Sequence, residues 1–487
     1  MRRSRDTSAN PVSTSGAGGS SCSKTWRPLP ARQVDTIAAI STPPGTGGVS
    51  VVRLSGPCAL EIGDRIMRLR RGRTLSGLPG WSVALGDVID PDDGTPVDEA
   101  IAVVMRGPRS YTGEDVVEIQ CHGGRLVTEK ILALALANGA GAAGAGEFTR
   151  RAFLSGRITL EEAEAVLDLV NAPSERSLRE AGRRLKGELG FKIRAWELRL
   201  FGVLAALQGG ADFPEDIGDQ MAGAMKDLKV LHEEARDLLK RAPLGLALAC
   251  GIEVCLVGRP NSGKSSLFNA LLGQDRAIVT VVPGTTRDVL REKTEWAGLP
   301  VVLLDTAGLR ETSEVVEAIG VERATMAAAE AGVILYVVDD TVGLAEEDGD
   351  WISRWEDRKL LVVVTKVDLG AGQVIPSEVE RLSGGNWLRT SSITGEGLEQ
   401  VKEQVTGWFS RGGLLEGAVP GSARQVDCLR RAVKAMEQAI GQSEDGWTED
   451  VVVLSLEEAA RSFAELTGKN VSEATLEQVF SKFCVGK

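Results

Sequence analysis

No stretch of this chain approaches the ~20 consecutive apolar residues that cross a bilayer. The longest candidate, Leu244 to Val257, is broken by Glu253. Paired cysteines are also missing. Seven cysteines lie scattered at positions 22, 58, 121, 250, 255, 428 and 484, with no C-x-x-C pair among them. That spacing gives neither a disulfide framework nor a zinc site, and it suits a reducing, cytoplasmic setting. Positive charge is in deficit. The net charge of −12 argues against a protein that coats nucleic acid by bulk electrostatics. The densest basic cluster, Arg65, Arg68, Arg70, Arg71 and Arg73, reads first as a solvated turn, with a local binding patch as the alternative. Residues 1–34 lack the apolar core of a secretory signal. They carry six Lys or Arg, one acid (Asp6) and many Ser and Gly. An organellar transit peptide, a disordered extension and a start codon assigned too early all fit that composition, so the segment is set aside from the fold.

What is present is a soluble globular balance, 43% hydrophobic and 25% charged over 487 residues, enough for about three domains. Thr36–Ile40 and Gly48–Leu54 read as strands around the turn Pro43-Pro44-Gly45-Thr46-Gly47. Ala59–Leu69 reads as a helix, Glu99–Met105 and Asp115–Cys121 as strands, and Gly124–Asn138 as a helix. These make a small α/β domain over 35–150. Thr159-Leu-Glu-Glu162 is a capping box. Amphipathic helices follow to about Arg241, interrupted by a loop at Asp212-Phe-Pro-Glu215. From Ile252 strands and helices alternate, with strands at Ile252–Val257, Val301–Asp305, Gly332–Val338 and Leu360–Thr365. That order predicts a mostly parallel sheet ending near Phe409. Arg424–Phe483 is helical again. The fold class is therefore α/β + α, with segments 35–150, 151–250, 251–412 (inserted) and 413–487, the two helical stretches forming one bundle.

Gly258-Arg-Pro-Asn-Ser-Gly263-Lys264-Ser265 has the spacing G-x-x-x-x-G-K-S, between an apolar strand and a helix, which is the setting a phosphate loop needs. Its glycines let the backbone N–H groups across Asn261, Ser262, Gly263, Lys264, Ser265 and Ser266 turn toward phosphate oxygens at a helix N-terminus. Lys264 can reach the β- and γ-phosphates, and Ser265 can ligate Mg²⁺. Asp305-Thr306-Ala307-Gly308 follows a strand. Asp305 can hold the Mg²⁺ shell and the Gly308 amide can sense the γ-phosphate. Thr365-Lys366-Val367-Asp368 follows another strand. Asp368 can accept two hydrogen bonds from guanine, a donor pair that adenine lacks. Ser391 and Ser392 lie where a backbone amide would touch the guanine oxygen. In this order, on strand ends, the four pieces predict GTP rather than ATP. Leu309 stands where many small GTPases place a water-orienting Gln. Another group must position water and neutralise charge. The loop Gly284-Thr285-Thr286-Arg287-Asp288 is the candidate: Thr286 can complete the Mg²⁺ shell, and loop carbonyls can hold a monovalent cation. Arg287 reads as a structural ion pair, and His122, beside Gly123 and Gly124, as a structural residue.

At this point the chain resembles the tRNA modification GTPases called MnmE or TrmE, from about Asp35 to Lys487. Besides the GTP motifs, the resemblance rests on three segments. The first is Asp35-Thr-Ile-Ala-Ala with Pro43-Pro-Gly45 and Val51-Val-Arg53-Leu-Ser-Gly56. The second is Ser110-Tyr-Thr-Gly-Glu-Asp115-Val-Val-Glu118, followed by His122-Gly-Gly124 and Gly146-Glu-Phe-Thr-Arg-Arg-Ala-Phe153. The third is the end, Phe483-Cys484-Val-Gly-Lys487. The resemblance implies an N-terminal α/β folate-binding domain that dimerises. It implies a helical bundle into which a Ras-like P-loop GTPase domain is inserted. It places Arg53, Glu118, Arg157 and Lys487 at positions that bind a tetrahydrofolate derivative, 5-formyl- or 5,10-methylene-tetrahydrofolate. Cys484 matches the family's functional cysteine. Asn261, Thr280, Val282 and Thr285 match the K⁺ ligands, and Glu317 matches the glutamate that orients water. The chain departs from the pattern at Val281 (usually Asp), Thr365 (usually Asn), Ile393 (often basic), and Ser422 and Gln425 (Asn and His).

The implied activity is a GTPase that works with a FAD-dependent partner, as a homodimer in a heterotetramer or larger assembly. Together they add a carboxymethylaminomethyl or aminomethyl group to the wobble uridine of tRNA. No membrane is involved. A ribosome-assembly GTPase sharing only the GTP motifs is the alternative, but the chain shows no basic G-x-x-G clamp after the GTPase segment. A GTP-gated scaffold without modification activity is the third reading.

Overall fold

The computed structural model describes residues 36–212, 218–273, 290–305, 325–326, 328–329, 331–370, 372–410 and 417–487. The first sheet is built from β1 (Ile37–Ile40), β2 (Val49–Ser55), β3 (Met67–Leu69), β4 (Ser82–Ile89), β5 (Pro96–Met105), β6 (Val116–His122) and β7 (Gly141–Ala142), in the order β3-β4-β5-β6-β2-β1-β7. All neighbours are antiparallel except β1 and β7. Alternate residues such as Val52, Leu54, Ala102, Val104, Val117 and Ile119 are buried under α1 (Ala59–Ile66) and α2 (Arg125–Ala137). The opposite face bears Val83, Leu85 and Ile101, all exposed. In register across it come Val103 and Glu118, then Glu118 and Arg53. The helix expected over Ala59–Leu69 stops at Ile66, because Met67 turns extended and Met67–Leu69 pair with β4. Strand β4, absent from the sequence reading, captures those residues.

Helices α3 (Glu147–Leu154), α4 (Leu160–Asn171), α5 (Glu175–Leu185), α6 (Glu188–Asp212) and α7 (Gly218–Cys250) follow. The capping box forms as expected. Thr159 N–H donates to Glu162 Oε2 at 2.9 Å, and Glu162 N–H to Thr159 Oγ1 at 3.4 Å. Helix α7 runs past Arg241 and through Pro243 to Cys250. Its last turns bury Leu244, Ala247 and Leu248 in the core of the next sheet, so packing outweighs the hydrogen bond that proline removes. Gly251, with φ +84, then turns the chain into β8.

The inserted unit comprises β8 (Ile252–Val257), α8 (Lys264–Leu272), β9 (Leu290–Trp296), β10 (Leu299–Asp305), β11 (Val333–Asp339), α9 (Glu346–Arg354), β12 (Leu360–Thr365), α10 (Pro376–Ser383), β13 (Trp387–Arg389) and α11 (Leu398–Ser410). Strand order is β13-β12-β11-β8-β10-β9. Every pair is parallel except β10 with β9. The chain then returns through α12 (Ala423–Glu444), α13 (Glu449–Leu466) and α14 (Glu473–Phe480). Leu189, Trp196 and Leu228 share one core with Leu429, Met436, Leu456 and Phe463, so helices before and after the insertion form a single bundle. The connections into and out of the insertion cross closely: a Cβ at Gly245 would lie 2.1 Å from Pro420 O. Ser422 and Gln425 have structural roles here. Ser422 caps α12, and both side chains donate to Glu164, at 3.0 and 2.6 Å. None of the described helices is long and apolar enough to cross a membrane.

Helices α4 and α6 meet where Gly190 leaves room for Glu161, since a Cβ there would lie 1.9 Å from Glu161 Oε1. Burial pushes the Glu161 carboxyl up to about 7, against the pull of Arg194, 3.6 Å away. A raised carboxyl pKa costs nothing below its ordinary value of 4.5 and costs most above the folded value. Glu161→Gln is therefore expected to stabilise the fold at pH 8 by on the order of 1–3 kcal/mol. It should have little effect at pH 4.5. Melting curves across this range check the sign; an equal or lower melting temperature at pH 8 would contradict it.

Candidate nucleotide site and the C-terminal cysteine

The phosphate loop joins β8 to α8 at the carboxyl edge of the parallel strands, where open α/β sheets bind ligands. Gly258 has φ +143, and a Cβ there would lie 2.3 Å from Val337 O. Only glycine lets the loop pass so close to β11. Asn261, with φ +62, and Gly263, with φ +92, complete the bend into α8. Lys264 Nζ donates to Gly258 O at 2.9 Å and Arg259 O at 2.7 Å. Burial pushes its ammonium below the ordinary lysine range, and the Asp305 carboxylate pulls it partly back. Ser262 Oγ is buried without a hydrogen-bond partner among the described residues. An orphan hydroxyl and an ammonium resting on loop carbonyls are groups that a phosphate oxygen would satisfy. Ser265 and Ser266 are exposed on the first turn of α8. Asp305 is buried at the end of β10, paired in register with Leu256. A hard cation shared by Ser265 and phosphate fits this donor set.

Thr365 ends β12 with its side chain buried. Its hydroxyl donates to Ser262 O at 2.6 Å and approaches Val338 O at 3.1 Å. The threonine thus ties β12 to the phosphate loop. Lys366, with φ +61, donates to Asn261 O at 2.9 Å and to Asp339 Oδ2 at 2.6 Å. Burial pushes the Asp339 carboxyl up, but hydrogen bonds from Lys366 and Thr341 outweigh it and hold it below the usual range. Asp368 is exposed on the following turn, open to a base. Ser391 is fully buried, and its Oγ accepts from Ile393 N–H at 3.2 Å and Thr394 N–H at 3.1 Å. That leaves Ile393 protruding, 85% exposed. Arg259, unassigned in the sequence reading, anchors the loop from outside. It pairs with Asp348 Oδ2 at 3.0 Å, and Tyr336 donates to the other oxygen at 2.7 Å.

A second cluster forms where the chain's end meets the first sheet. Phe148 N–H donates to Lys487 O at 3.1 Å, Gly146 N–H to Cys484 O at 3.4 Å, and Val485 bridges to Ala145. Gly486 presses on β1, where a Cβ would lie 2.2 Å from Ile40 O. Arg53 sits beside this tail. It pairs with Glu118 at 2.8 Å, donates to Gly486 O at 3.4 Å, and lies 5.4 Å from the Phe148 ring and 5.7 Å from Tyr111. Burial pushes the Tyr111 phenol up, and its hydroxyl lies 3.0 Å from Thr149 Oγ1. Cys484 is exposed. Arg157 is exposed beyond the far end of α3, and its N–H donates to Ala152 O.

A model of the GTP-binding protein TrmE N-terminus matches residues 36–157, and one of the MnmE helical domain matches residues 160–484. A tRNA modification GTPase MnmE from Carboxydothermus hydrogenoformans is 41% identical over 458 residues, covering 93% of this chain and 99% of its own. One from Thermus thermophilus is 44% identical over 457 residues, with the same coverage. The chain belongs to the tRNA modification GTPase MnmE family. Among solved structures, the G domain of the T. maritima FeoB iron transporter is 28% identical; it covers 32% of this chain and 98% of its own, with a TM-score of 0.26.

Within this MnmE frame, the structure brings Arg53, Glu118, Cys484 and Lys487 together and leaves Arg157 apart. It brings Asn261 to Ser266, Asp305, Thr365, Lys366 and Asp368 to one edge of the second sheet. Thr280, Val282, Thr285, Thr286, Thr306, Ala307, Gly308 and Glu317 lie outside the described residues, as do Val281, Arg287 and Leu309. His122 is paired with Asp98, Nδ1 to Oδ1 at 2.7 Å, in keeping with a structural role. Tyr111, Phe148 and Arg259 were missed: an aromatic or a lone arginine gives no spacing signal. The tie made by Thr365 predicts that Thr365→Val lowers GDP affinity by about fivefold to tenfold, the worth of one hydrogen bond. Fluorescence titration with labelled GDP checks this, and affinity within twofold of the unaltered chain would show that the tie is dispensable.

Proposed function

We propose that this chain is a K⁺-activated GTPase that takes part, with a FAD-dependent partner, in adding a carboxymethylaminomethyl or aminomethyl group at C5 of the wobble uridine of tRNA. Membership of the MnmE family along 93% of the chain carries this reading. Lys264 and the loop amides hold the phosphates, Ser265 and Thr286 the Mg²⁺, and Asp368 the guanine. Asn261, Thr280, Val282 and Thr285 hold K⁺, and Glu317 orients water. A cation beside the phosphates supplies the charge that an arginine finger would otherwise bring.

Arg53, Glu118, Arg157 and Lys487 bind a tetrahydrofolate derivative. The chemistry suits it: cations for the acidic tail, a carboxylate for the pterin edge, and the Tyr111 and Phe148 rings beside them. Bound folate supplies the one-carbon unit, and Cys484, on the same tail whose Gly486 carbonyl accepts from Arg53, acts on the modification. The open face carrying Val83, Leu85 and Ile101 continues from Arg53 and Glu118, and we assign it to the homodimer contact. The family's domain scheme follows: folate binding in 35–150, GTPase in 251–412, bundle in the flanking segments. Scattered, unpaired cysteines suit a cytoplasmic protein.

Two experiments test this. GTP hydrolysis is expected to run at least about tenfold faster in KCl than in NaCl at equal ionic strength; equal rates remove the K⁺ assignment. In cells whose only copy carries Cys484→Ser, nucleoside mass spectrometry of tRNA should find the modified wobble uridine reduced to background. Normal levels there would exclude the cysteine's role.

A further inference from the structure

Helix α6 turns an uncharged face to solvent. Phe191, Ala195, Leu198, Phe201 and Ala205 follow helical spacing and are exposed, Phe191 by 73% and Leu198 by 72%. Nothing in the bundle's own packing requires large apolar side chains there. Across from this stripe stands α13, whose outer face presents Asp450, Leu454 and Glu457. Two adjoining hollows of about 350 and 370 Å³ lie between the helices and share Gln208. The groove has an apolar floor and an acidic wall. Cations of α6 do not neutralise that wall: Arg194 pairs with Glu161, Arg199 with Asp227 and Glu234, and Lys192 lies over the Trp196 ring. On α13 itself Arg461, one turn from Glu457, lines the same hollow and is held by Glu458 at 2.9 Å, which leaves Glu449, Asp450 and Glu457 as the wall's net charge.

The floor fits an amphipathic helix laid in by its apolar stripe. The wall fixes that helix's charge: acids at 450 and 457 call for Lys or Arg along its flank. A second copy would present the same acidic wall across a twofold axis and set like charges together. We propose that the α6–α13 groove receives a basic, amphipathic helix of the FAD-dependent partner. This rests on the partner named above. The groove lies on the bundle, whereas the apolar face assigned to the homodimer lies on the first sheet, so self-association leaves it free.

The test uses the full chain and the purified FAD-containing partner protein from the same organism. Phe201→Asp and Leu454→Asp each put a carboxylate into the groove's apolar lining, one from each helix, and Glu457→Lys reverses the charge of the wall. Each variant should weaken partner binding by about tenfold or more. Melting temperature and GTP hydrolysis in KCl should stay as in the unaltered chain. Binding within twofold in all three, with the unaltered chain binding normally, overturns the groove and leaves the partner reading standing. A failure of the unaltered chain to bind the flavoprotein overturns both. A change in the chain's own mass by light scattering, without loss of partner affinity, assigns the groove to a second copy and overturns the proposal.

Discussion

The return of the last four residues onto the first sheet is the contact on which the arrangement turns. Arg53 and Gly486 are 433 positions apart, yet they are joined by a hydrogen bond. Closing so long a loop is costly on its own. The bundle lowers that cost by bringing α14 beside α3, with the tilted rings of Phe153, Phe480 and Phe483 packed in sequence at centroid distances of 6.4 and 5.7 Å. Backbone pairing of Val485 and Lys487 with Ala145 and Phe148 then fixes the tail. Cys484 thereby becomes part of the first domain's surface, although the sequence places it at the end of the bundle.

The nucleotide edge and the tail lie on different units, and α5 connects their supports. Ser174, which caps α5, has its Oγ 3.2 Å from Gly298 O at the tip of the β9–β10 hairpin. That hairpin leads directly to Asp305. At the other end of α5, fully buried Arg184 pairs with Asp168 at 2.6 Å and packs against Gly421. Glu180 accepts from Val419 N–H at 2.8 Å. A shift of the hairpin therefore bears on both the bundle and the segment through which the chain leaves the insertion. A buried ion pair of this kind resists being broken singly, which anchors that end of α5.

Much of this was legible beforehand because its signals are local. The phosphate loop, the capping box at Thr159 and the parallel strands rest on short spacings that survive in any tertiary context. Strand β4 was not legible. Its buried Ala84, Gly86 and Val88 alternate with Val83 and Leu85, which are apolar but exposed, so the usual contrast between faces is erased. Strand β9, LREKTEW, fails the opposite way, since charge along an edge strand reads as a solvated segment. Arg53 and Glu118 were expected at one site through the family resemblance, but their direct pairing and their aromatic neighbours were not legible. Thr365 looked like a lost amide and is instead a hydroxyl strut, a substitution of one donor for another that only geometry reveals.

Gly245 and Pro420 almost touch. Cutting the chain at that crossing and rejoining it would leave α7 and α12 connected by a short turn, with only Ala418 and Val419 lost from the bundle's shared core. The nucleotide-binding unit thus leaves and re-enters its host at one crossing, and the hairpin's bond to α5 braces it at a second point. A differently sized cartridge could be spliced in at that crossing without rethreading the frame.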